Sequence, residues 1–333
     1  MKRRKFNAAI TAFGKHLPET KLTNLDLEKM VETSDEWIRS RTGISERRIV
    51  KKGEATSHMS IKAVEDMISR FNVDPAQIDL IIVATVTPDM MFPATACLIQ
   101  DKIKARKAWG FDLSGACSGF LYALYTGAQF IENGSHSKIL IVGADTMSSI
   151  VNYRDRNTWV LFGDGAGVVL LEPTERKDYG IIDFIGFIDG SGGPYLSMPA
   201  GGSIKPASIE TIEKGMHFIQ QDGRAVFKFA VNAMADVSQQ ILERNNLKGN
   251  DIKIFIPHQA NKRIIEASAK KMKLNDSQVL INIDKYANTT AATIPIGIVE
   301  AHDEDRIRNG DLMLLASFGA GFTWGSLLLR WGY

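Results

Sequence analysis

Asp74-Pro75-Ala76-Gln77-Ile78-Asp79-Leu80-Ile81-Ile82-Val83-Ala84 is a turn running into a strand, and the chain contains a second version of it. That version is Lys248-Gly249-Asn250-Asp251-Ile252-Lys253-Ile254-Phe255-Ile256. Each follows a stretch of helical period. Ile61, Val64, Ile68 and Phe71 precede the first; Phe227, Val231, Met234 and Ile241 precede the second. In both, spacing of three and four gives way to a near-continuous apolar run, as expected for strands buried under helices. Setting Ile78 on Ile252 gives an offset of about 174 residues. At that offset residues 138–143 fall on 311–315, and residues 163–171 are expected close to 325–329. One matched pair is within chance, whereas three in order point to a duplication. The chain therefore reads as an α/β protein of two related halves, residues 1–173 and 174–333, joined near residues 172–183.

A length of 333 residues accommodates two such units with a large core. Hydrophobic residues at 44% and charged residues at 23% suit a globular protein. No apolar run is long enough to cross a bilayer. A net charge of +2 gives no global case for nucleic acid or a membrane surface. Two cysteines, Cys97 and Cys117, make no disulfide framework and fit a reducing cytoplasm. The start Met1-Lys2-Arg3-Arg4-Lys5 is basic, but the apolar run after it contains Asn7 and Thr11 and lacks a signal-peptide core. It reads as a first strand.

Chemistry concentrates at strand-to-helix turns. Ser114-Gly115-Ala116-Cys117-Ser118-Gly119-Phe120 follows one apolar run and opens another of helical character. A helix N-terminus stabilises a thiolate, and small neighbours admit a substrate, so Cys117 is placed as a nucleophile. His258 lies in Ile256-Pro257-His258-Gln259-Ala260-Asn261, directly after a buried strand. Asn288 lies in Tyr286-Ala287-Asn288-Thr289-Thr290-Ala291-Ala292, the second-half counterpart of the Cys117 turn. Ser317-Phe318-Gly319-Ala320-Gly321-Phe322 is a tight loop able to aim backbone N–H groups. Singly, each has an ordinary structural explanation. Together, about a pseudo-two-fold axis, they form one pocket holding a thiol, an imidazole and a carboxamide. The other histidines, His16, His58, His136, His217 and His302, read as solvated, and Cys97 as helix core. Asp303-Glu304-Asp305 reads as a solvated helix face. Gly163-Asp164-Gly165-Ala166-Gly167 lacks the Walker lysine and the dinucleotide spacing, so it reads as a close-packed turn. No metal-ligand spacing is present.

At these residues the chain resembles β-ketoacyl-acyl-carrier-protein synthase III, the initiating condensing enzyme of bacterial fatty-acid synthesis. Further matches are Thr33-Ser34-Asp35-Glu36-Trp37-Ile38, Arg41-Thr42-Gly43-Ile44 and Phe162–Gly167, so the likeness spans nearly the whole chain. The resemblance implies a thiolase-like fold, a five-layered αβαβα sandwich of two halves. It implies acyl transfer from an acyl-CoA, foremost acetyl-CoA, to Cys117, then decarboxylative condensation with malonyl-acyl-carrier protein. His258 and Asn288 would serve the second step, and the backbone N–H of Cys117 and Ala320 would hold the oxyanion. Thr33, Trp37, Arg41, Arg156, Asn261 and Arg224 would hold CoA. Arg224 and Gln221 both depart from the family pattern. Lys228, Arg263, Lys270 and Lys271 would meet the carrier protein. Phe92 would reach an acyl pocket across a homodimer interface. CoA enters as substrate, with no separate cofactor and no metal. The alternatives are a secondary-metabolism acyltransferase on the same fold and a non-catalytic partner subunit, which typically lacks the nucleophile. Starter length and branching are left open.

Overall fold

The structure, a computed structural model, describes residues 6–332. The basic start, Met1 to Lys5, lies outside the described residues. The first half contributes strand β1 (Asn7–His16), the hairpin strands β2 (Thr20–Thr23) and β3 (Glu46–Ile49), then β4 (Leu80–Ala84), β5 (Trp109–Leu113), β6 (Ile139–Asp145) and β7 (Gly165–Thr174). The second contributes β8 (Gly180–Ile188), the short pair β9 (Leu196–Ser197) and β10 (Gln220–Gln221), then β11 (Ile254–Pro257), β12 (Leu312–Gly319) and β13 (Thr323–Arg330). The helices are α1 (Asn24–Glu28), α2 (Asp35–Thr42), α3 (Thr56–Phe71), α4 (Thr95–Ile103), α5 (Gly119–Glu132), α6 (Arg156–Trp159), α7 (Ile209–Glu213), α8 (Gly223–Arg244), α9 (Lys262–Lys271), α10 (Ile283–Tyr286) and α11 (Thr293–Asp303).

Two sheets repeat one topology. The first runs β1-β7-β6-β4-β5 and the second β8-β13-β12-β11. In each, the last two named strands of the shared core, β6-β4 and β12-β11, are parallel, and the pairs on the β1 or β8 side are antiparallel. Where the first sheet adds β5, the second has only a bridge from Phe255 to Val279. Helices α3 and α4 pack on the outer face of the first sheet, around Val64, Met67 and Ile99. Helices α8 and α9 cover the second around Met234, Ile241 and Ile265.

Between the sheets lie α5 and α11, in one core with Ile82, Ile141, Ile256 and Leu315 from both sheets. Phe120, Leu121, Ala123, Leu124, Ala128 and Ile131 of α5 are all fully buried. A helix with apolar residues on nearly every side belongs in such a layer. The result is five layers, αβαβα.

The matching turns before α5 and α11 share an unusual backbone. Ala116 has φ 46° and Thr290 has φ 48°, both left-handed, and the two are the residues that the offset of 174 equates. The offset fails for the third repeat. β7 starts at Gly165 and β13 at Thr323, some 158 residues on. The first half routes α6 and its flanking loops between β6 and β7, whereas β12 turns straight into β13. Other expectations also change. Cys97 is on α4 but exposed. His302 stacks on Phe13 at 4.8 Å, and the Trp109 indole N–H donates to His136 at 2.8 Å. Asp303 takes two bonds from Arg70, at 2.7 and 3.2 Å, so this face of α11 is tied to α3.

The seam between halves leaves no room at Gly143, on β6. A Cβ there would stand 2.4 Å from the Ala291 carbonyl oxygen. Gly143→Ala is expected to destabilise the protein by about 1–3 kcal/mol through overpacking, read as a lowered thermal midpoint. An unchanged midpoint would refute so tight a seam.

Candidate active site

Cys117 sits in the short turn Ala116–Ser118 at the head of α5 and is buried. The turn is held from the second sheet. Ser317 Oγ donates to the Cys117 carbonyl at 2.8 Å, Ser118 Oγ donates to the Thr323 carbonyl at 3.2 Å, and Thr323 Oγ1 donates to the Gly115 carbonyl at 3.2 Å. Gly319 backs onto the nucleophile so closely that a Cβ would lie 2.7 Å from the Cys117 nitrogen. Only glycine fits that approach. Ala320 is the next residue in this loop.

The Asn288 turn is held reciprocally from the first half. Asn288 N–H donates to the Leu161 carbonyl at 3.0 Å, and Gly163 N–H donates to the Asn288 carbonyl at 3.1 Å. The side-chain oxygen of Asn288 accepts the Thr290 N–H at 2.8 Å. That contact fixes the carboxamide orientation, leaving its NH2 end for the cavity, where the side chain reaches the Cys117 thiol. His258 follows β11 and is 2% exposed. Its Nδ1 meets the Thr293 hydroxyl at 2.7 Å, and its buried Nε2 has no protein partner. A hydroxyl can accept from Nδ1–H or donate to bare Nδ1, so the ring keeps this support in either tautomer.

Cys117, His258 and Asn288 line one cavity of about 360 Å³. Burial pushes the Cys117 thiol up to about 12. Asp145 adds to the rise, while its own backbone N–H and Asn288 pull the other way. Burial lowers His258 to about 3. The resting pair is therefore a thiol and a neutral imidazole, although the helix N-terminus had suggested a thiolate. Desolvation disfavours both charged forms and outweighs the half-charge of a helix end.

The outer part of the cavity is lined by Trp37, Arg41, Asn261, Arg263, Gln221 and Arg224, together with Asn157 and Phe318. Its ionisable lining is three arginines with no carboxylate. Trp37 is half-buried on α2 with guanidinium groups at 5.2 Å (Arg41) and 5.5 Å (Arg156) from its ring centre. Arg156 donates to the Glu32 carbonyl at 3.0 Å, and Asn261 Nδ2 donates to the Arg41 carbonyl at 2.9 Å.

Other expected residues stand apart from the lining. Thr33 lies just before α2, with its hydroxyl buried and unpartnered. Lys228 is exposed on α8, and Lys270 and Lys271 are exposed on α9. Lys271 pairs with Asp236, and Arg263 stacks on Phe227 at 4.6 Å. Phe92 is 84% exposed, beside exposed Met91, and does not line the cavity of its own chain. Sequence reasoning missed Thr293 as the partner of His258, and it missed Asp145. An acid ending the otherwise apolar strand Ile139–Asp145 was the available signal. A wider groove of about 1030 Å³ past Arg306 and Arg330 contains no cysteine or histidine. Among the described residues no cluster of three His, Cys, Asp or Glu side chains is placed to hold a metal ion.

A buried thiol, an imidazole and a carboxamide at the seam of a duplicated αβαβα sandwich define a thiolase-fold condensing enzyme. Comparison with known proteins is more specific. Residues 111–190 match the family 3-oxoacyl-[acyl-carrier-protein] synthase III, and residues 242–331 match its C-terminal part. The beta-ketoacyl-[acyl-carrier-protein] synthase III of Koribacter versatilis is 51% identical, covering 98% of each chain. That of Chlorobaculum tepidum is 52% identical over 97% of this chain and 99% of its own. The crystal structure of 3-oxoacyl-[acyl-carrier-protein] synthase III from Aquifex aeolicus superposes with a TM-score of 0.89. It is 42% identical, covering 97% of this chain and all of its own. The chain belongs to the 3-oxoacyl-[acyl-carrier-protein] synthase III family. It is an acyl-transferring condensing enzyme of the initiating step of fatty-acid synthesis.

Because the thiol is held protonated, its reactivity should follow the thiolate fraction far into alkali. Alkylation of Cys117 by iodoacetamide, followed by mass spectrometry, should quicken roughly tenfold per pH unit from pH 7 to pH 9. A plateau below pH 8 would show a thiolate already present at rest.

Proposed function

We propose that the protein joins an acyl group from acyl-CoA, foremost acetyl-CoA, to malonyl-acyl-carrier protein through an acyl-Cys117 intermediate. The observation that carries this reading is the meeting of Cys117, His258 and Asn288 in one cavity whose mouth is cationic. In the first step Cys117 Sγ attacks the thioester carbonyl, the bond to the CoA sulfur breaks, and the thiol proton ends on the departing CoA sulfur, which leaves as free CoA thiol. The developing oxyanion is taken by the backbone N–H of Cys117 and of Ala320, beside Gly319. In the second step the malonyl group loses carbon dioxide. The enolate oxygen is held by Asn288 Nδ2–H and by His258 Nε2–H, the latter without another protein partner. The enolate carbon then attacks the acyl-cysteine, and Cys117 departs as the 3-ketoacyl-carrier protein forms. Carbon dioxide release makes the condensation favourable, so the reading requires neither a metal nor a separate cofactor.

The arginines at the mouth suit the phosphates shared by CoA and the carrier's pantetheine arm. Trp37, between Arg41 and Arg156, offers a face for the adenine, and Thr33, Asn261 and Arg224 complete this assignment. Lys228, Arg263, Lys270 and Lys271 would receive an acidic carrier protein. A homodimer is part of the reading. The exposed Phe92 and the edge strand β5, with Trp109 half exposed, fit a partner subunit. A cytoplasmic location follows from the substrates. No helix among the described residues is long and apolar enough to cross a membrane.

Purified protein given acetyl-CoA and malonyl-acyl-carrier protein should release carbon dioxide and form acetoacetyl product. Cys117→Ala should abolish acyl transfer. His258→Ala should keep self-acylation but lose at least about a hundredfold in decarboxylation. Equal loss of both steps would contradict the role given to His258. Separately, Trp37→Ala should raise the KM for acyl-CoA roughly tenfold with little change in kcat. An unaltered KM would remove Trp37 from the nucleotide site.

A further inference from the structure

We propose that Asp145 is a positioning residue that, through Thr290, holds the polar partners of Cys117 from across the seam. The idea deepens the condensing function proposed above and rests on it. Asp145 closes β6 and has no exposed surface. One carboxylate oxygen accepts the hydroxyls of Thr85 and Thr87 at 3.0 and 2.9 Å and the N–H groups of Val86 and Thr87 at 2.8 and 3.2 Å. The other accepts the Thr290 hydroxyl and, at 3.2 Å, the Ala291 N–H. Three of these donors are backbone N–H groups, which cannot accept a proton. The ionised carboxylate is the form that uses the whole set.

Thr290 carries the influence onward, and each of its polar groups has a separate task. Its hydroxyl is anchored to Asp145. Its N–H fixes the Asn288 side-chain oxygen at 2.8 Å. Its carbonyl lies 3.1 Å from the Thr293 hydroxyl oxygen, which meets His258 Nδ1 at 2.7 Å; the single hydroxyl proton goes to Nδ1 when Nε2 carries the ring proton, and to the carbonyl when Nδ1 does. Sending these groups in three directions requires the left-handed backbone at Thr290, which a β-branched residue adopts only when its surroundings compel it. The Asp145 carboxylate, reaching from the opposite half, supplies that hold. The other titratable groups around this volume are His258 and Asp164, with Arg41, Arg224 and Arg263 at the cavity mouth.

Two substitutions test the positioning role, with alkylation of Cys117 reporting whether the cavity itself stays intact. Asp145→Asn removes the charge and turns an NH2 group toward the Ala291 N–H. It should slow decarboxylation of malonyl-acyl-carrier protein at least about tenfold, while alkylation of Cys117 by iodoacetamide at pH 8 stays within about twofold of wild type. Thr290→Val keeps the charge and loses the anchor. It should slow decarboxylation similarly and leave alkylation within about twofold of wild type, with Thr290→Ser restoring decarboxylation. Decarboxylation at the wild-type rate in Asp145→Asn would overturn the proposal. So would equal slowing of both reactions, the mark of a merely loosened core. The wild-type protein in the same assay separates this idea from the one beneath it. If wild type and Asp145→Asn decarboxylate equally, the positioning role falls alone; an inert wild type removes the condensing function and the role together.

Discussion

Each half of this protein holds the turn by which the other half lines the cavity. Ser317 and Thr323, on the second sheet, fasten the backbone around Cys117. Leu161, Gly163 and Asp145, from the first half, fasten the backbone around Asn288 and Thr290. The exchange is a consequence of duplication. Two copies of one βα turn, facing each other about a pseudo-two-fold axis, meet where their strands end. Each buried hydrogen bond adds only about 1 kcal/mol net, but leaving such a group unpaired costs about 1–3 kcal/mol. The turns are therefore coupled. Neither can move without stranding polar groups of the other.

The same burial sets the electrostatics. A cavity closed enough to desolvate Cys117 and His258 keeps the first protonated and the second neutral. A thiol held protonated is a weak nucleophile. A neutral imidazole suits the second step, in which a hydrogen-bond donor is needed more than a cation. The left-handed backbone shared by Ala116 and Thr290 shows how one local geometry serves two ends. In the first half it presents the Cys117 thiol, and in the second it presents the supports of a carboxamide and an imidazole.

The cavity mouth differs in character from its floor. At the floor are small residues and groups with few partners. At the mouth stand arginines and a tryptophan on short elements, α2 and the start of α8 and α9. Two of those elements are joined by the bond from the Asn261 side-chain amide to the Arg41 carbonyl. Rigid chemistry and a broad charged entrance are thereby built from different parts of the chain.

The α/β class, the two halves and the Cys117, His258 and Asn288 turns were legible in the sequence. Apolar period and small-residue turns are local signals, and two copies of a local signal can be aligned without coordinates. The uneven third repeat was not legible, because a connection's length is free once its two strands pair. Cys97 and His302 were misread, since which face of a helix meets the core depends on neighbours distant in the chain. Thr293, beneath His258, and Asp145, beneath Asn288, became visible only on folding. A hydroxyl or carboxylate in a sequence carries no mark of the partner it will find across a seam, and that partner is chosen by how two sheets stack.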